Sequence, residues 1–290
     1  MVDSLETRLR RGDVVLAVDD VPAAEALAAL EALISGATPQ WKRYRALSDL
    51  RMGPEGSALS LRVQPAEGPP QTITTHRTLD WNHTPADPRP ETISEVEPGI
   101  YYVNLDKVST AVFNEALPQL QQAEGIVFDM RGYPRNIQPV FIQHLIKEPV
   151  QSAQWLVPEN EQPDQKSLSF DDAGRWYLEP KAPYLASRRA FITDGRAISY
   201  AESCMGIIEH YKLAEIVGAP TAGTNGNINP FSLPGGYQIR WTGMKVLKHD
   251  GAQHHGIGIL PTIPTARTRQ GVIEGRDELL ERAIDAVRGG

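Results

Sequence analysis

Gly125-Ile126-Val127-Phe128-Asp129-Met130-Arg131-Gly132 decides the fold class. Its apolar run shows no polar alternation, the mark of a strand covered on both faces. Upstream, Gly99-Ile-Tyr-Tyr-Val-Asn104 reads as another strand, and residues 110–122 as a helix with Phe113, Ala116, Leu117 and Leu120 inward. Downstream come a helix near 137–147, a buried strand Arg189-Ala-Phe-Ile-Thr193 and a helix over 199–211 with Ala201, Met205 and Ile208 inward. Glu215-Ile-Val-Gly218 resumes the sheet. Strand–helix–strand alternation predicts an α/β core with parallel strands. From 230 to 249 the pattern turns to strands with Gly turns, where Tyr237 and Trp241 are expected to fill a core or wall a cleft. A closing helix is expected over 276–287.

The N-terminal part reads differently. Arg11-Gly-Asp13 feeds the β-branched strand Val14–Val18, and Asp19-Asp20 turns the chain. A helix follows with Ala26, Leu27, Leu30, Leu33 and Ile34 on one face. Ala58–Val63 and Gln71–Thr75 alternate like paired strands. Asp80–Glu91 holds three prolines in a polar stretch and reads as a linker. The expected organisation is residues 1–79, a linker over 80–98, and a main domain over 99–290.

Composition narrows the function classes. The 290 residues carry a net charge of −7, with no basic run beyond Arg8–Arg11, so nucleic acid is not an expected partner. A single Cys excludes an internal disulfide and a Cys-based structural zinc site. No apolar stretch approaches the roughly 18 residues of a membrane helix. Met1-Val-Asp-Ser-Leu-Glu6 lacks the basic and apolar regions of a signal peptide.

The chemistry centres on Thr193-Asp-Gly-Arg-Ala-Ile-Ser199-Tyr-Ala-Glu-Ser-Cys204. A buried strand ends, a Gly turn follows, and Ser199 stands at a helix N-terminus. Free N–H groups of a first helical turn point at whatever lies before them. The Tyr200 amide there could stabilise an oxyanion formed when Ser199 Oγ attacks a carbonyl. Ser199-x-x-Glu202 is equally a capping box, in which Ser199 only satisfies a backbone donor.

Gly132 sits just beyond a buried strand, where ligands bind in open α/β sheets, and its N–H is a second oxyanion candidate; a plain turn is the alternative. Gly218-Ala-Pro-Thr-Ala-Gly-Thr-Asn-Gly226 lacks the Gly-Lys-Ser/Thr ending of a phosphate loop. In His249-Asp-Gly-Ala-Gln-His254-His255-Gly-Ile-Gly258, neighbouring His residues on an extended chain face opposite ways, so at most one serves a given site. Neutral-range imidazole suits a general base for Ser199. No His-Glu-x-x-His spacing exists, and neither a metal nor a cofactor is expected. Cys204 reads as a small packed residue, and His76, His83, His144 and His210 as structural or exposed.

In this order the pieces resemble the C-terminal processing, or tail-specific, serine peptidase family, in its tricorn-core-like branch. Arg11–Pro22 looks like the second half of that family's peptide-binding PDZ domain. Gly125–Gly132 is similar to its oxyanion-loop segment, Ala197-Ile-Ser-Tyr-Ala-Glu202 to its nucleophile motif, and Gly218–Gly223 and Gly258–Thr262 to two downstream landmarks. The resemblance implies a crotonase-like α/β peptidase core preceded by a partial PDZ-like β-rich domain, and a serine endopeptidase acting on peptide or protein substrates. It carries over Ser199 as nucleophile, with the Gly132 and Tyr200 amides as oxyanion donors.

This chain departs from the family pattern in three ways. Many members place a Lys base where Thr224 stands here. Tricorn-like members take a His from a segment N-terminal to the PDZ domain, which this chain begins too late to contain, and their Glu falls near His255; His255 is therefore the candidate base. The first PDZ strand and its carboxylate-binding loop belong before residue 8. The alternative function is a catalytically incomplete homologue that binds peptides or hydrophobic ligands on the same fold. Relatives are usually exported, while the sequence itself assigns neither compartment nor oligomeric state.

Overall fold

The computed structural model describes residues 9–77, 89–164 and 166–288. Most of the proline-rich stretch, with His83, lies outside them. The chain divides into two compact units, residues 1–89 with 266–281 and residues 90–265 with 282–290.

The first unit contains β1 (Val14–Val18), β2 (Val21–Pro22), α1 (Ala23–Leu33), α2 (Pro39–Asp49), β3 (Ala58–Gln64) and β4 (Gln71–His76). Its antiparallel sheet runs β2-β1-β3-β4. Asp19 and Asp20 both take positive φ (47° and 65°), as a two-residue hairpin turn between Val18 and Val21 requires. β3 alternates as expected, turning Leu59, Leu61 and Val63 into a small core with Val18 and Ile73. The apolar stripe of α1 buries less than its spacing predicts. None of its residues is fully buried, and Leu33 is 81% exposed. The helix α2 was not expected. Thr38 caps it by accepting the Trp41 N–H, and Pro39 stands at its first position, where a missing N–H costs nothing.

The second unit is built on β5 (Ile93–Glu97), β6 (Ile100–Asn104), α3 (Thr110–Leu120), β7 (Gly125–Asp129), α4 (Val140–Gln143), β8 (Val150–Gln151), β9 (Gln154–Asn160), β10 (Leu168–Asp172), β11 (Tyr177–Leu178), β12 (Arg188–Thr193), α5 (Tyr200–His210), β13 (Glu215–Gly218), β14 (Asn229–Ser232), β15 (Gln238–Trp241), β16 (Lys245–Leu247) and β17 (Ile263–Pro264). Two helices, α6 (Arg269–Glu274) and α7 (Glu278–Arg288), close the chain. The central sheet runs β17-β13-β12-β7-β6-β5. All its pairings are parallel except β5 with β6. β7 is buried at every residue, as its sequence predicts. Phe128 stacks on Phe191 at 4.8 Å and packs near Phe141, which meets Phe113 edge-on, so a chain of aromatic rings runs through a largely aliphatic core.

Three expectations are corrected. Residues 93–97, assigned to the linker, form the edge strand β5, since Gly99 at φ 75° lets the chain turn back onto β6. The helix near 137–147 shrinks to the four residues of α4. Ile142, His144 and Leu145 donate three residues back rather than four, a tightening that fits Pro139 before it and Pro149 beyond. Tyr237 and Trp241 fill no core. They stand 73% and 51% exposed on the two-stranded ribbon β14–β15, which has no buried face.

Candidate active site

Ser199 lies at the junction of β12 and α5, beyond the C-terminal end of the sheet. Its backbone has φ 56° and ψ −111°, a region normally left to glycine and costing about 1–3 kcal/mol for a side-chain-bearing residue. Such a strained strand-to-helix turn is a device for presenting a hydroxyl.

Hydrogen bonds from several segments impose this conformation. The Ser199 N–H donates to the Thr224 carbonyl at 3.0 Å and to Glu202 Oε2 at 3.2 Å. Ala222 N–H donates to the Ala197 carbonyl at 2.9 Å. The capping box is thus present, but Glu202 does far more than cap. Its buried carboxylate also accepts the Thr221 hydroxyl at 2.6 Å, the Gly223 N–H at 2.7 Å and the Thr224 N–H at 3.0 Å. The Gly-rich segment 218–226 therefore wraps a carboxylate, to which it commits the Gly223 and Thr224 amides, rather than cradling a phosphate.

Ser199 is half-buried and opens into a cleft of about 330 Å³. Tyr133, Trp155, Trp176 and Tyr200 form one wall, with ring centroids 5.2, 5.6 and 6.1 Å apart along the series Trp155–Trp176–Tyr200–Tyr133. Ser203, Asn225, Asn227, Met244 and Arg175 supply the rest. Asn225 is fixed by exchanging hydrogen bonds with Ser203. Burial pushes the Tyr200 phenol well above its ordinary range, and its hydroxyl donates to the Ile137 carbonyl at 3.0 Å. Burial likewise pushes the Cys204 thiol up to about 12, so it is no competing nucleophile.

The expected partners separate. Tyr200 N–H, in the first turn of α5, has no acceptor among the described residues and is available to a ligand. Gly132 takes φ 146°, which only glycine tolerates there, but its N–H donates to the Met130 carbonyl at 2.9 Å. The Asp106 carboxylate lies over it and accepts the Tyr133 N–H at 3.0 Å. His255 is exposed and does not line the cleft. The inward place goes instead to His254, at the start of a turn closed by the Ile257 and Gly258 N–H groups on its carbonyl; it is buried with Nε2 3.4 Å from Glu202 Oε1. No His, Lys, Asp or Glu lines the cleft among the described residues. None of them forms a cluster able to hold a metal ion, and no helix among them is long and apolar enough to cross a membrane.

Sequence reasoning missed the aromatic wall and Arg175, because β9 and the β10–β11 connection reach the site only through tertiary folding. The several bonds to Glu202 were hidden behind the capping-box reading.

The model of peptidase family S41 matches residues 99–265, which span β6 to β17 and include the whole Ser199 turn. The chain belongs to peptidase family S41. It is a serine peptidase by family, a hydrolase whose substrates are peptides or proteins. Among solved structures, the S41 chain is similar to mature CPAF at a TM-score of 0.71 and 15% identity, over 94% of this chain and 76% of that one. Mature CPAF complexed with lactacystin gives 0.69 and 13%, over 96% and 77%. A putative peptidase from Parabacteroides merdae ATCC 43184 gives 0.56 and 14%, over 92% and 89%. At these identities the likeness is one of fold. No curated protein matches the chain by sequence.

Proposed function

We propose that this chain hydrolyses peptide bonds through an acyl-enzyme on Ser199, on a crotonase-like core, with residues 1–79 acting as a partial PDZ-like domain. The observation that carries this reading is the strained Ser199 turn, held by hydrogen bonds and opening into a cleft. Ser199 Oγ adds to the scissile carbonyl as a base takes its proton. The tetrahedral oxyanion then collapses, the C–N bond breaks, and the leaving amine receives that proton. Water repeats the sequence on the acyl ester and releases the acid.

The free Tyr200 N–H is the first oxyanion donor, and one such donor contributes about 3 kcal/mol of transition-state stabilisation. Gly132 becomes the second only when its N–H leaves the Met130 carbonyl. The base, worth roughly 10²–10⁴ in rate, reaches Ser199 from outside the lining side chains. His254 and His255 are the candidates; His254 is held against Glu202, and His255 requires movement of its exposed turn.

The test is intact-mass analysis after incubation with a fluorophosphonate probe. A single adduct on the wild type, absent from Ser199→Ala, is the expected result. Its loss in His255→Ala names that residue as the base; because His254 lies against Glu202, loss in His254→Ala names a base only where the urea midpoint is unchanged. No adduct on the wild type refutes the reading and leaves a chain that binds peptides without cleaving them.

A further inference from the structure

Arg175 is a half-buried guanidinium in the wall of the Ser199 cleft. Of its five N–H donors, one is used, in a 3.1 Å bond to Gln154 Oε1. Gln154 is itself held from the other side, donating to Asp172 Oδ2 at 3.0 Å. The amide thus stands between Asp172 and Arg175 and orients the guanidinium. Among the described residues no carboxylate pairs with Arg175, and no aromatic ring stacks on it. Asp172 Oδ1 is taken by the Gly174 N–H at 2.8 Å. Among the described residues no Asp or Glu lines the cleft. A chain of net charge −7 therefore offers an oriented, unpaired cation where its nucleophile opens.

The neighbouring side chains sharpen the chemistry. Trp155 and Trp176 exclude water on one side, and Ser203, Asn225 and Asn227 are neutral hydrogen-bonding groups. A low-dielectric wall strengthens a charge-assisted bond formed beside it. Planar guanidinium recognises carboxylate with two parallel N–H bonds.

The geometry points to a carboxylate subsite: the cleft binds peptides that bring a carboxylate to Arg175 and an apolar or aromatic side chain to the Trp155–Trp176 wall. This inference rests on the peptidase reading of Ser199 and adds its substrate class. The carboxylate has two sources, the peptide's own C-terminus or an Asp or Glu side chain.

Binding is measured on full-length Ser199→Ala by calorimetry, so that no turnover is needed. The probes are acetylated alanine-based peptides with a single Phe: one with a free C-terminus, one C-terminally amidated with Glu beside the Phe, and one amidated with Gln there. An acidic form should bind about 10- to 100-fold tighter than the neutral one. Preference for the free terminus identifies the terminal carboxylate as ligand, and preference for the Glu peptide the side chain. Arg175→Gln should abolish the difference, and Arg175→Lys should keep part of it. Raised salt should shrink it. Equal binding of all three peptides, binding of none, or a preference that survives Arg175→Gln overturns the inference. The two readings fail separately. A Ser199 adduct with no carboxylate preference removes only the subsite, and a carboxylate preference without an adduct removes only the peptidase chemistry.

Discussion

Replacing Glu202 by Gln tests how the Ser199 turn is held. The carboxylate accepts four bonds, two per oxygen: Thr221 Oγ1 and Gly223 N–H on Oε1, Ser199 and Thr224 N–H on Oε2. An amide nitrogen at the Oε2 position would face two N–H donors. At the Oε1 position it faces the Gly223 N–H, the Thr221 oxygen, whose hydroxyl can turn to accept, and His254 Nε2 at 3.4 Å. The amide therefore settles on Oε1, loses the Gly223 bond, leaves that N–H unsatisfied, and weakens the rest by removing the charge. A bond to a charged group contributes about 1.5–3 kcal/mol and an orphaned buried donor costs about 1–3 kcal/mol, giving a loss of roughly 3–5 kcal/mol. That is a large share of the about 5–15 kcal/mol a domain has. Urea unfolding followed by circular dichroism measures it, with the midpoint expected to fall by about 1–2 M for a slope near 3 kcal/mol/M. Fluorophosphonate labelling should fall as well, since the Ser199 turn loses its anchor. A variant within about 1 kcal/mol of the wild type would show that these bonds do not hold the turn.

Two further predictions concern the same unit. The Pro183 carbonyl can only accept, so His144 Nδ1 carries the proton at 2.8 Å, while Nε2 is buried without a partner and burial holds the imidazole below its ordinary 6.5. The unfolded chain takes up that proton first, so stability present above about pH 6.5 is lost as pH falls toward the lowered folded value, by up to about 1.4 kcal/mol per pH unit; His144→Asn should flatten this limb of a urea-midpoint profile, and an unchanged slope rejects the assignment. Gly132→Ala would set a Cβ 2.7 Å from the Asp106 carboxyl carbon at φ 146°, an expected loss of about 1–3 kcal/mol. Part of it should be recovered in the Gly132→Ala/Asp106→Ala double variant, and strict additivity in a double-mutant cycle would mean the two do not touch.

What the sequence made legible follows its ranges of order. Short apolar runs such as Ile126–Phe128, bounded by Gly125 and the Asp129–Gly132 turn, announce buried strands, whereas the equally apolar Cys204–Ile208 is told apart as helix by the longer periodic segment around it. The Ser199–Glu202 spacing was equally readable, and the cap it predicts exists. Its tertiary bonds were not readable, since Thr221, Gly223 and Thr224 lie about twenty positions on and reach the carboxylate only after β13 is in place. Thr38-Pro39 was a helix-start signal that went unread behind the polar face of α2. Leu33 matched a helical stripe but meets no partner in its unit, so periodicity overstated its burial. His254 and His255 were separable in principle as one in and one out, yet nothing local decides which, and the bonds of the turn chose His254.

The strand order of the central sheet carries a consequence for biogenesis. From β6 through β7, β12 and β13 to β17, each strand is laid beside the preceding strand of this sheet, and none is inserted between two older neighbours. During synthesis from the N-terminus, every strand meets a partner that has already left the ribosome. The sheet can therefore grow in one direction, from the edge opposite β5, with a single growing edge at any moment. The Ser199 turn emerges with β12, but its clamp at 221–224 comes only after β13 and the His254 segment later still. The hydroxyl is thus drawn into its strained presentation near the end of translation, when most of the sheet beneath it has already formed.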